Sequence, residues 1–348
     1  SFELTNASNR IGTIASNSSI NSLQLTSAID VAIGSVGARS GLGAQSALTV
    51  LSSGEILINQ NVELTSNGDI SLRSLGALLI AAGKSVVTTQ GNITVVTGKI
   101  SNQGGSNALV VGGAEKVWQI WSTNFDPFNA DQTIGDVTGG LVNNYKQYNA
   151  TYGTIAALGS GNGFLYTLAP TITVSLVGPI SKAYDGTPVA NLLASNYQLS
   201  GAILEDAVTL NNPTIGAYTT AGIAEVGATA KDVGTAKAVT VTGLSVTSSS
   251  NGSVQVYGYA PTASTVTATL GEITPATVKI VGAKTYDGTT SLASGQVTLT
   301  GVTVDGVTET LTYSGLPVSS NQNVITSGKY VSGITALANA IDGSGGKA

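Results

Sequence analysis

One six-residue pattern occurs twice in this chain and constrains its fold more than any other feature. Lys-x-Tyr-Asp-Gly-Thr stands at residues 182–187 and again at residues 284–289, about 100 residues later. Apolar and small residues on both sides match as well, and the offset between the copies drifts by a few residues along the match. Such drift is typical of small insertions and deletions in turns between strands of constant length. The pattern therefore predicts tandem copies of one folding unit.

Composition indicates that this unit is built from strands. Of the 348 residues only 9% are charged and 5% are aromatic, whereas 42% are hydrophobic. Ser, Thr, Gly, Asn and Val fill the difference, which is typical of short strands joined by many turns. The chain has no Cys, His or Met, so it offers no disulfide and no thiol or imidazole chemistry.

The Lys-x-Tyr-Asp-Gly-Thr opening, followed by an alternating β-rich unit of about 100 residues, resembles the YDG repeat of large bacterial surface adhesins. Those adhesins are similar to filamentous haemagglutinin and leave the cell by two-partner secretion, which requires an outer-membrane secretion partner. The resemblance implies an all-β chain with a right-handed parallel β-helix, a junction segment and Ig-like β-sandwich repeats. It covers most of the chain and implies little about the ligand.

Residues 1–116 fit the β-helix part of this plan. Three segments share a Gly, a small polar residue and an alternating strand, and they begin at Ser53, Asn67 and Gln90. The glycines of the last two segments are 23 residues apart, close to one rung of a parallel β-helix, whereas those of the first two are 14 apart. Stacked rungs would place Val, Ile and Leu in inward ladders. The alternative is an ordinary sandwich with strands of irregular length.

Residues 117–170 carry a cluster of aromatic residues and form the predicted junction. The segment opens with Trp118 and Trp121, the only tryptophans, and continues with Phe125, Tyr145 and Tyr148. One interpretation is a hydrophobic plug that closes the open end of the β-helix, as terminal repeats of solenoids must. The other is a set of stacking platforms for sugar rings, which makes these five residues the candidate binding site.

Residues 171–273 form the first predicted repeat and residues 274–348 the second. Asp-Gly is a favoured hairpin pair, because Asp tolerates and Gly readily adopts positive φ. The preceding tyrosine is predicted to be a packed anchor whose hydroxyl bonds a backbone group, so the motif is structural. The second copy is shorter than the first, which predicts an incomplete sandwich with an open edge that invites strand addition. The turn residues that define the repeats are Tyr184, Asp185, Gly186, Tyr286, Asp287 and Gly288.

The residues that the chain lacks limit its chemistry. Without His or Cys there is no Ser-His-Asp triad, no Cys-His pair and no His-containing zinc site, so we expect no enzyme. A carboxylate pair for glycoside hydrolysis is the remaining catalytic option. Asp126, Asp131 and Asp136 recur at a spacing of five residues, and oxygen-rich loops suit Ca²⁺, but the residue order of an EF-hand is missing. We therefore expect no cofactor, with Ca²⁺ as the alternative. The candidate catalytic carboxylates are Glu55, Asp69, Glu115, Asp126 and Asp131.

The charge balance limits the partners. A net charge of −5 and a pI near 4.7 argue against nucleic acid or an anionic membrane surface, because both require a basic face. No apolar run reaches the ~20 residues of a membrane helix, so we expect no membrane insertion.

Together with the resemblance, these features predict a segment of a secreted or cell-surface bacterial adhesin that mediates cell–cell, biofilm-matrix or host attachment through polysaccharide or protein contacts. The alternative is a protomer of an extracellular filament that self-associates by β-strand addition.

Overall fold

The computed structural model describes residues 1–16, 19–204, 206–220, 229–304, 306–324 and 327–337. The end of the second predicted repeat, residues 338–348, lies outside these ranges. Within them the chain is all-β, as predicted, with two short 3₁₀ helices at Ala194–Asn196 and Ser294–Gln296. None of the described helices is long and apolar enough to cross a membrane.

The chain divides into two compact units, which are described separately. Unit 1 contains Ser1–Ile172, Gly201–Leu210 and Val246–Ala260, and unit 2 contains Thr173–Ser200, Asn211–Ser245 and Pro261–Ala348. Two segments of the first predicted repeat thus belong to unit 1. The predicted boundaries after residues 116, 170 and 273 are not tested by this division and stay predictions.

The strands of residues 1–170 follow one another closely up to residue 122, and longer loops precede those that begin at Tyr145 and Gly163. In chain order they are β1 (Phe2–Leu4), β2 (Thr13–Ile14), β3 (Ser22–Ser27), β4 (Val31–Ile33), β5 (Ser35–Val36), β6 (Arg39–Ser40), β7 (Leu42–Ala44), β8 (Ala47–Ser52), β9 (Ile56–Ile58), β10 (Val62–Asn67), β11 (Ile70–Ser74), β12 (Ala77–Ile80), β13 (Val86–Gln90), β14 (Ile93–Thr97), β15 (Lys99–Asn102), β16 (Leu109–Val111), β17 (Trp118–Ser122), β18 (Tyr145–Gln147) and β19 (Gly163–Tyr166).

The remaining strands are longer on average and mostly antiparallel. In chain order they are β20 (Thr171–Leu176), β21 (Ile180–Ala183), β22 (Val189–Asn191), β23 (Tyr197–Ser200), β24 (Ala207–Leu210), β25 (Ile215–Thr219), β26 (Gly234–Thr242), β27 (Val246–Asn251), β28 (Val254–Tyr257), β29 (Ala260–Pro261), β30 (Thr265–Thr274), β31 (Lys279–Gly282), β32 (Val297–Thr300), β33 (Thr303–Val304), β34 (Val307–Thr308), β35 (Tyr313–Ser319) and β36 (Val331–Leu337).

Unit 1 contains a parallel β-helix of about five turns, which confirms the predicted β-helix. One side is the parallel series β1-β3-β8-β11-β14-β17, a second is β7-β10-β13-β16, and a third is β2-β4-β9-β12-β15. Because each strand pairs with the strand one turn later, each side of the helix is a continuous sheet. The predicted 23-residue rung is real, since Ile70 pairs with Ile93. The 14-residue interval is not a rung, because the strand after Gly54 lies on a different side.

The interior of the β-helix consists of stacked aliphatic side chains, as the period-two alternation predicts. Residues in register on successive turns are fully buried, and this removal of apolar surface from water stabilises the stack. The ladders are Leu23, Leu48, Ile70 and Ile93; Leu25, Val50, Leu72 and Val95; and Val31, Ile56, Leu78 and Ile100.

One corner of the β-helix carries a ladder of buried hydroxyl groups instead. Ser27, Ser52, Ser74, Thr97 and Ser122 follow one another on successive turns and are each 5% exposed or less. The Ser52 hydroxyl donates to a backbone carbonyl, 2.9 Å from Ile29 O, and the Ser74 hydroxyl donates to Thr97 Oγ1 at 2.9 Å. Short hydroxyl side chains therefore satisfy the polar groups at the turn that the chain makes there.

The β-helix sheet continues beyond the last regular turn. β19 pairs in parallel with β17 and with β18, and β18 pairs in parallel with β28. β28, β27 and β24 then complete an eleven-stranded sheet with antiparallel pairing. All of these strands belong to unit 1. Residues from the region after 200 thus add strands directly to the β-helix sheet.

Two sheets formed by the first copy of the motif and the strands after it pack around an apolar core in unit 2. The five-stranded sheet has the order β21-β30-β26-β25-β22, and β20 pairs with β23 in the other sheet. The second copy of the motif contributes the antiparallel pairs β31–β32, β33–β34 and β35–β36. The core residues are Leu176, Ile180, Tyr184, Ala190, Leu192, Tyr197, Tyr218, Val239, Val241, Leu244 and Ile273.

Candidate functional site

Four of the five predicted binding aromatics are buried in unit 1. Trp118, Trp121, Tyr145 and Tyr148 are each 5% exposed or less, whereas Phe125 is 82% exposed. A ring that stacks on a sugar must present a face to solvent, and among the five only Phe125 does so here. The burial of the other four is what a hydrophobic plug requires. Ligand binding by any of these residues stays a prediction.

The buried rings pack edge to face at the end of the β-helix. Trp118 lies in register with Ile93, so it extends an inward ladder by one turn. Its ring meets Phe164 at a centroid distance of 5.2 Å, and Trp121 meets Tyr152 at 5.3 Å. Edge-to-face pairs at this distance stabilise beyond the burial of their area. The aromatic cluster therefore packs the last turns of the β-helix.

A buried carboxylate beside this cluster joins four side chains. Asp206 Oδ1 accepts hydrogen bonds from Lys146 Nζ at 2.7 Å and from Asn251 Nδ2 at 2.9 Å. Its Oδ2 accepts from the hydroxyls of Tyr148 at 2.8 Å and Tyr259 at 2.9 Å. The Asp206 side chain is 0% exposed. Both oxygens are thus saturated, as a buried charge requires.

The environment of Asp206 shifts the pKa of several groups. Burial alone would raise the pKa of Asp206, but hydrogen bonds from Lys146, Asn251 and the two tyrosines outweigh it and hold the pKa below its ordinary value. Burial raises the pKa of Tyr148, and the Asp206 carboxylate raises it further. Burial and the same carboxylate raise the pKa of Tyr259 to about 12. The carboxylate is therefore charged and the tyrosines are neutral near pH 7.

A pocket of about 330 Å³ opens next to this network in unit 1. Its apolar lining includes the half-buried ring of Phe128, which packs on Tyr166 at a centroid distance of 5.0 Å. Lys146 Nζ lies 6.0 Å from the centre of the Phe128 ring, within the range of a cation–π contact. The polar residues that line the pocket include Asn129, Asp136, Thr138, Asn143 and Lys146. Aromatic rings together with several amide, hydroxyl and charged groups suit a small polar ligand.

Asp136 is the least satisfied of the groups that line this pocket. Its Oδ1 accepts from Asn124 Nδ2 at 3.0 Å and from the Ile100 amide at 3.2 Å. Its Oδ2 is buried and has no hydrogen-bond partner among the described residues. Burial raises the pKa of Asp136, and the polar groups of Asn124, Ser122 and the Ile100 amide offset this only in part.

The three aspartates spaced by five residues do not converge. Asp126 Oδ2 accepts from Asn129 Nδ2 at 2.7 Å, and Asp131 Oδ1 accepts from the Thr133 amide at 2.8 Å. Asp126 and Asp131 therefore each bond within their own turn of the loop, whereas Asp136 bonds Asn124 and Ile100. Among the residues that the structure describes, no three His, Cys, Asp or Glu side chains lie close enough together to hold a metal ion.

The first copy of the repeated motif, in unit 2, is a turn closed by its own lysine. Lys182 Nζ lies 2.6 Å from Asp185 Oδ1 and donates to Thr187 O at 2.7 Å. The same Asp185 oxygen accepts from the Thr187 amide at 2.9 Å, and Gly186 has φ 73°. Burial alone would raise the pKa of Asp185, but hydrogen bonds from Lys182 and Thr187 lower it overall. β21 and β22, which the turn joins, stand at opposite ends of the sheet order, so it is not a two-residue hairpin.

Tyr184 is the anchor of this first turn. It is 3% exposed within the core of unit 2, as the sequence predicts for a packed tyrosine. Its hydroxyl donates to Glu309 Oε1 at 2.5 Å rather than to the backbone group that was expected. Glu309 is itself only 6% exposed. A residue from the second copy thus completes the hydrogen bonding of the first.

The second copy repeats the turn but not the burial. Lys284 Nζ lies 2.8 Å from Asp287 Oδ1, which accepts from the Thr289 amide at 2.9 Å, and Gly288 also has φ 73°. The hydrogen bond from Lys284, helped by those from Thr289, lowers the pKa of Asp287 to about 2. Tyr286, by contrast, is 63% exposed. The turn forms in both copies, and the tyrosine is an anchor in only one.

Sequence reasoning missed Lys146 and Asp206. The two residues are 60 positions apart, and neither belongs to a repeated motif. The available signal was the scarcity of charge: with 14 basic and 19 acidic residues in the chain, a charged residue beside an apolar strand is a candidate for a buried pair. The sequence does not show which partner it would find.

Comparison with known proteins supports one part of the chain. Residues 167–259 match the YDG domain, so the resemblance seen in the sequence is confirmed for the first repeat. The matched residues include Tyr184 and the network residues Asp206, Asn251 and Tyr259. No curated protein and no solved structure matches the chain.

Proposed function

We propose that this chain is a segment of a bacterial secreted or cell-surface adhesin that mediates cell–cell, biofilm-matrix or host attachment. The observation that carries the proposal is the occurrence of a parallel β-helix and a YDG domain in one polypeptide. Stacked β-structure of this kind supports repeated, individually weak contacts that gain strength from multivalency. Two-partner secretion and an outer-membrane secretion partner belong to the same proposal and rest on the family resemblance.

The pocket beside Phe128 is the best place for a saccharide contact in unit 1. Its volume of about 330 Å³ suits one or two sugar residues, and sugars bind proteins through an apolar ring face and several hydroxyls. Phe128 offers an apolar ring, and Asn129, Thr138, Asn143 and Lys146 offer polar side chains. The site we propose is therefore adjacent to the aromatic residues that the sequence indicated, and involves none of the four that are buried.

An array of bacterial and host glycans, probed with the purified chain, tests this proposal. Thr138→Trp fills the pocket without removing a side-chain hydrogen bond that the fold uses, and we expect it to weaken glycan binding at least about tenfold. Thr154→Trp places the same side chain at an exposed position of unit 1 and should leave binding unchanged. A chain that attaches to cells equally well with Thr138→Trp and binds no glycan would contradict the saccharide pocket.

A second candidate function is a filament protomer that assembles by strand addition. It is favoured by one observation in unit 2, the exposed apolar side chains around the second copy of the motif. Electron microscopy of the purified chain at two concentrations, without ligand, separates the candidates. Long uniform fibres would support self-assembly, whereas single particles at both concentrations would contradict it.

A further inference from the structure

The β3-β8-β11-β14-β17 side of the β-helix has two outward rows of side chains, and only one of them is polar. The polar row consists of Gln24, Thr49, Ser71, Thr94 and Gln119 on successive turns. The other row consists of Thr26, Leu51, Arg73, Val96 and Trp121. Outward positions of a β-helix face water and are expected to be polar. An outward row with apolar residues is therefore expected where another group packs on the sheet.

The chain itself covers one end of the second row. Trp121 is 5% exposed and packs with Ala150, and its ring meets that of Tyr152 edge to face at a centroid distance of 5.3 Å. The same Tyr152 ring lies against the guanidinium of Arg73, whose Cζ is 4.9 Å from the ring centre. A cation–π contact of this length favours one orientation of the arginine side chain. Tyr152 therefore bridges the row from Trp121 to Arg73.

A groove of about 210 Å³ lies toward the other end of the second row. Its apolar lining includes Leu51, Leu75 and Val96, and the Leu75 side chain is 77% exposed. Thr26 and Ser53 add hydroxyl groups to the lining. The groove is smaller than the ~300 Å³ at which pockets for drug-sized ligands begin, so it suits a ligand with a single ring.

Arg73 gives this groove a positive charge that no described side chain neutralises. The residue lines the groove and is exposed. Within the described ranges its guanidinium forms no ion pair and donates no hydrogen bond, whereas Lys146, Lys182 and Lys284 each lie within 2.8 Å of an aspartate. A guanidinium presents its N–H groups as a planar fork that matches the two oxygens of a carboxylate. A free fork beside an apolar groove is therefore complementary to a carboxylate on an apolar body.

We propose that this groove binds a small carboxylate with an apolar body, such as an aryl or short acyl carboxylate. The carboxylate accepts hydrogen bonds from the Arg73 guanidinium, and the apolar body packs on Leu51, Leu75 and Val96. An acidic sugar has the same carboxylate but lacks the apolar body, so it should bind more weakly. The groove shares no lining residue with the pocket beside Phe128, so this inference does not depend on the saccharide site.

Titration of the full chain with phenylacetate, followed by nuclear magnetic resonance, tests the proposal. The arginines of the chain are Arg10, Arg39 and Arg73, so their side-chain Nε–H signals can be followed separately. We expect a saturable shift of the Arg73 signal alone, with a Kd of about 1 mM or tighter for a ligand of this size. Phenylacetamide, which has the same shape without the charge, should bind at least about tenfold more weakly. Glucuronate, which has the charge without the apolar body, should also bind at least about tenfold more weakly.

Two pairs of variants, followed by the backbone amide signal of Val96, separate the contribution of the charge from that of the apolar lining. Arg73→Gln should weaken phenylacetate binding at least about tenfold, whereas Arg10→Gln removes the same charge from another exposed position of unit 1 and should not. Leu75→Ser should weaken binding at least about threefold. Val142→Ser changes an equally exposed apolar residue outside the groove and should leave binding unchanged.

Three results would each overturn the proposal. They are equal binding of phenylacetate and phenylacetamide, binding of glucuronate as tight as that of phenylacetate, and no saturable shift up to about 10 mM phenylacetate. Tight glucuronate binding would assign the groove to acidic sugars instead. None of these results would change the glycan-binding test of the pocket beside Phe128.

Discussion

The two copies of Lys-x-Tyr-Asp-Gly-Thr have the same turn and different surroundings. In both, the lysine ammonium lies within 2.8 Å of the aspartate, and the glycine has φ 73°. The tyrosine is 3% exposed in the first copy and 63% exposed in the second. The turn depends on residues within six positions, so the sequence alone produces it. Burial of the tyrosine depends on a strand about 90 residues later, which the described residues provide for one copy only.

The tyrosine pair should show the largest difference in stability. Tyr184→Ala leaves a cavity in the core of unit 2 and removes the donor to Glu309, so we expect a loss of roughly 3–5 kcal/mol. Tyr286→Ala removes an exposed ring and should change stability by no more than about 0.5 kcal/mol. Native-state hydrogen exchange of unit 2 measures both values.

Tyr184→Phe separates packing from hydrogen bonding in the same experiment. The variant keeps the ring and leaves the buried Glu309 carboxylate without the tyrosine donor, so we expect a loss of about 1–3 kcal/mol. Similar losses for Tyr184→Ala and Tyr286→Ala would show that the two tyrosines do not differ in burial, and would contradict the comparison.

Asp206 extends the comparison into unit 1. When the two copies are aligned on the matching Leu199 and Leu299, Asp206 of the first copy corresponds to Gly306 of the second. The buried carboxylate is therefore present at this position in the first copy only. Asp206→Asn leaves Lys146 without its charged partner, and we expect a loss of roughly 3 kcal/mol in unit 1. Thermal unfolding of unit 1, followed by the fluorescence of Trp118 and Trp121, measures it. Asp69→Asn, which changes an exposed carboxylate, is the control.

The Asp206 carboxylate should also make the stability of unit 1 depend on pH. The pKa of Asp206 is lower in the folded chain than its ordinary value of about 3.9, so this carboxylate stabilises the fold above about pH 4. That stabilisation decreases as the pH falls through the folded pKa. Between pH 6 and pH 2 the wild-type unit 1 should lose more stability than Asp206→Asn does. Parallel curves for the two proteins would contradict the assignment.

Substitution of either motif lysine should cost less stability than Asp206→Asn, and the two lysine substitutions should cost the same. Lys182→Met and Lys284→Met keep the aliphatic stem and remove the ammonium that closes the turn. Since both aspartates are about half exposed and solvent screens the ion pairs, we expect each change to cost little stability. Hydrogen exchange at Thr187 and Thr289 reports the two turns separately. A loss confined to one copy would show that the turn depends on its surroundings.

The smallest expected effect is a shift in the pKa of the motif aspartates. The carboxyl of Asp287 should titrate near pH 2, and that of Asp185 below its ordinary value, when both are followed by carbon-13 NMR. In Lys284→Met the pKa of Asp287 should rise toward its ordinary value, because its largest perturbation is the hydrogen bond from Lys284. An unchanged pKa in that variant would show that Thr289 alone is responsible.

Much of the β-helix could be predicted from alternation and from one interval. The inward positions of Leu23, Leu48, Ile70 and Ile93 follow from period-two alternation, and the 23-residue spacing of two glycines identified a rung. A Cβ at Gly91 would lie 1.6 Å from Gly68 O, so close stacking of successive turns explains why glycine recurs there. Nothing local indicated that the hydroxyl ladder from Ser27 to Ser122 is buried.

The aromatic cluster was found, but the orientation of its rings was not. Clustering near Trp118 was visible in the sequence, because aromatics are rare elsewhere in the chain. Whether a ring faces the interior or solvent depends on its register in a strand, and β17 pairs with β14 so that Trp118 continues the inward ladder. Phe125 lies outside these strands and remains exposed.

The amino-acid sequence by itself determined the all-β class, the rung interval and the two Asp-Gly turns. These features depend on alternation and on residues close together in the chain, so their physical causes are local. Only the tertiary structure decided that β24, β27 and β28 join the β-helix sheet, that Lys146 pairs with Asp206, and that one of two identical turns buries its tyrosine. Each of these depends on contacts between residues far apart in the chain, where burial and strand pairing outweigh local preference.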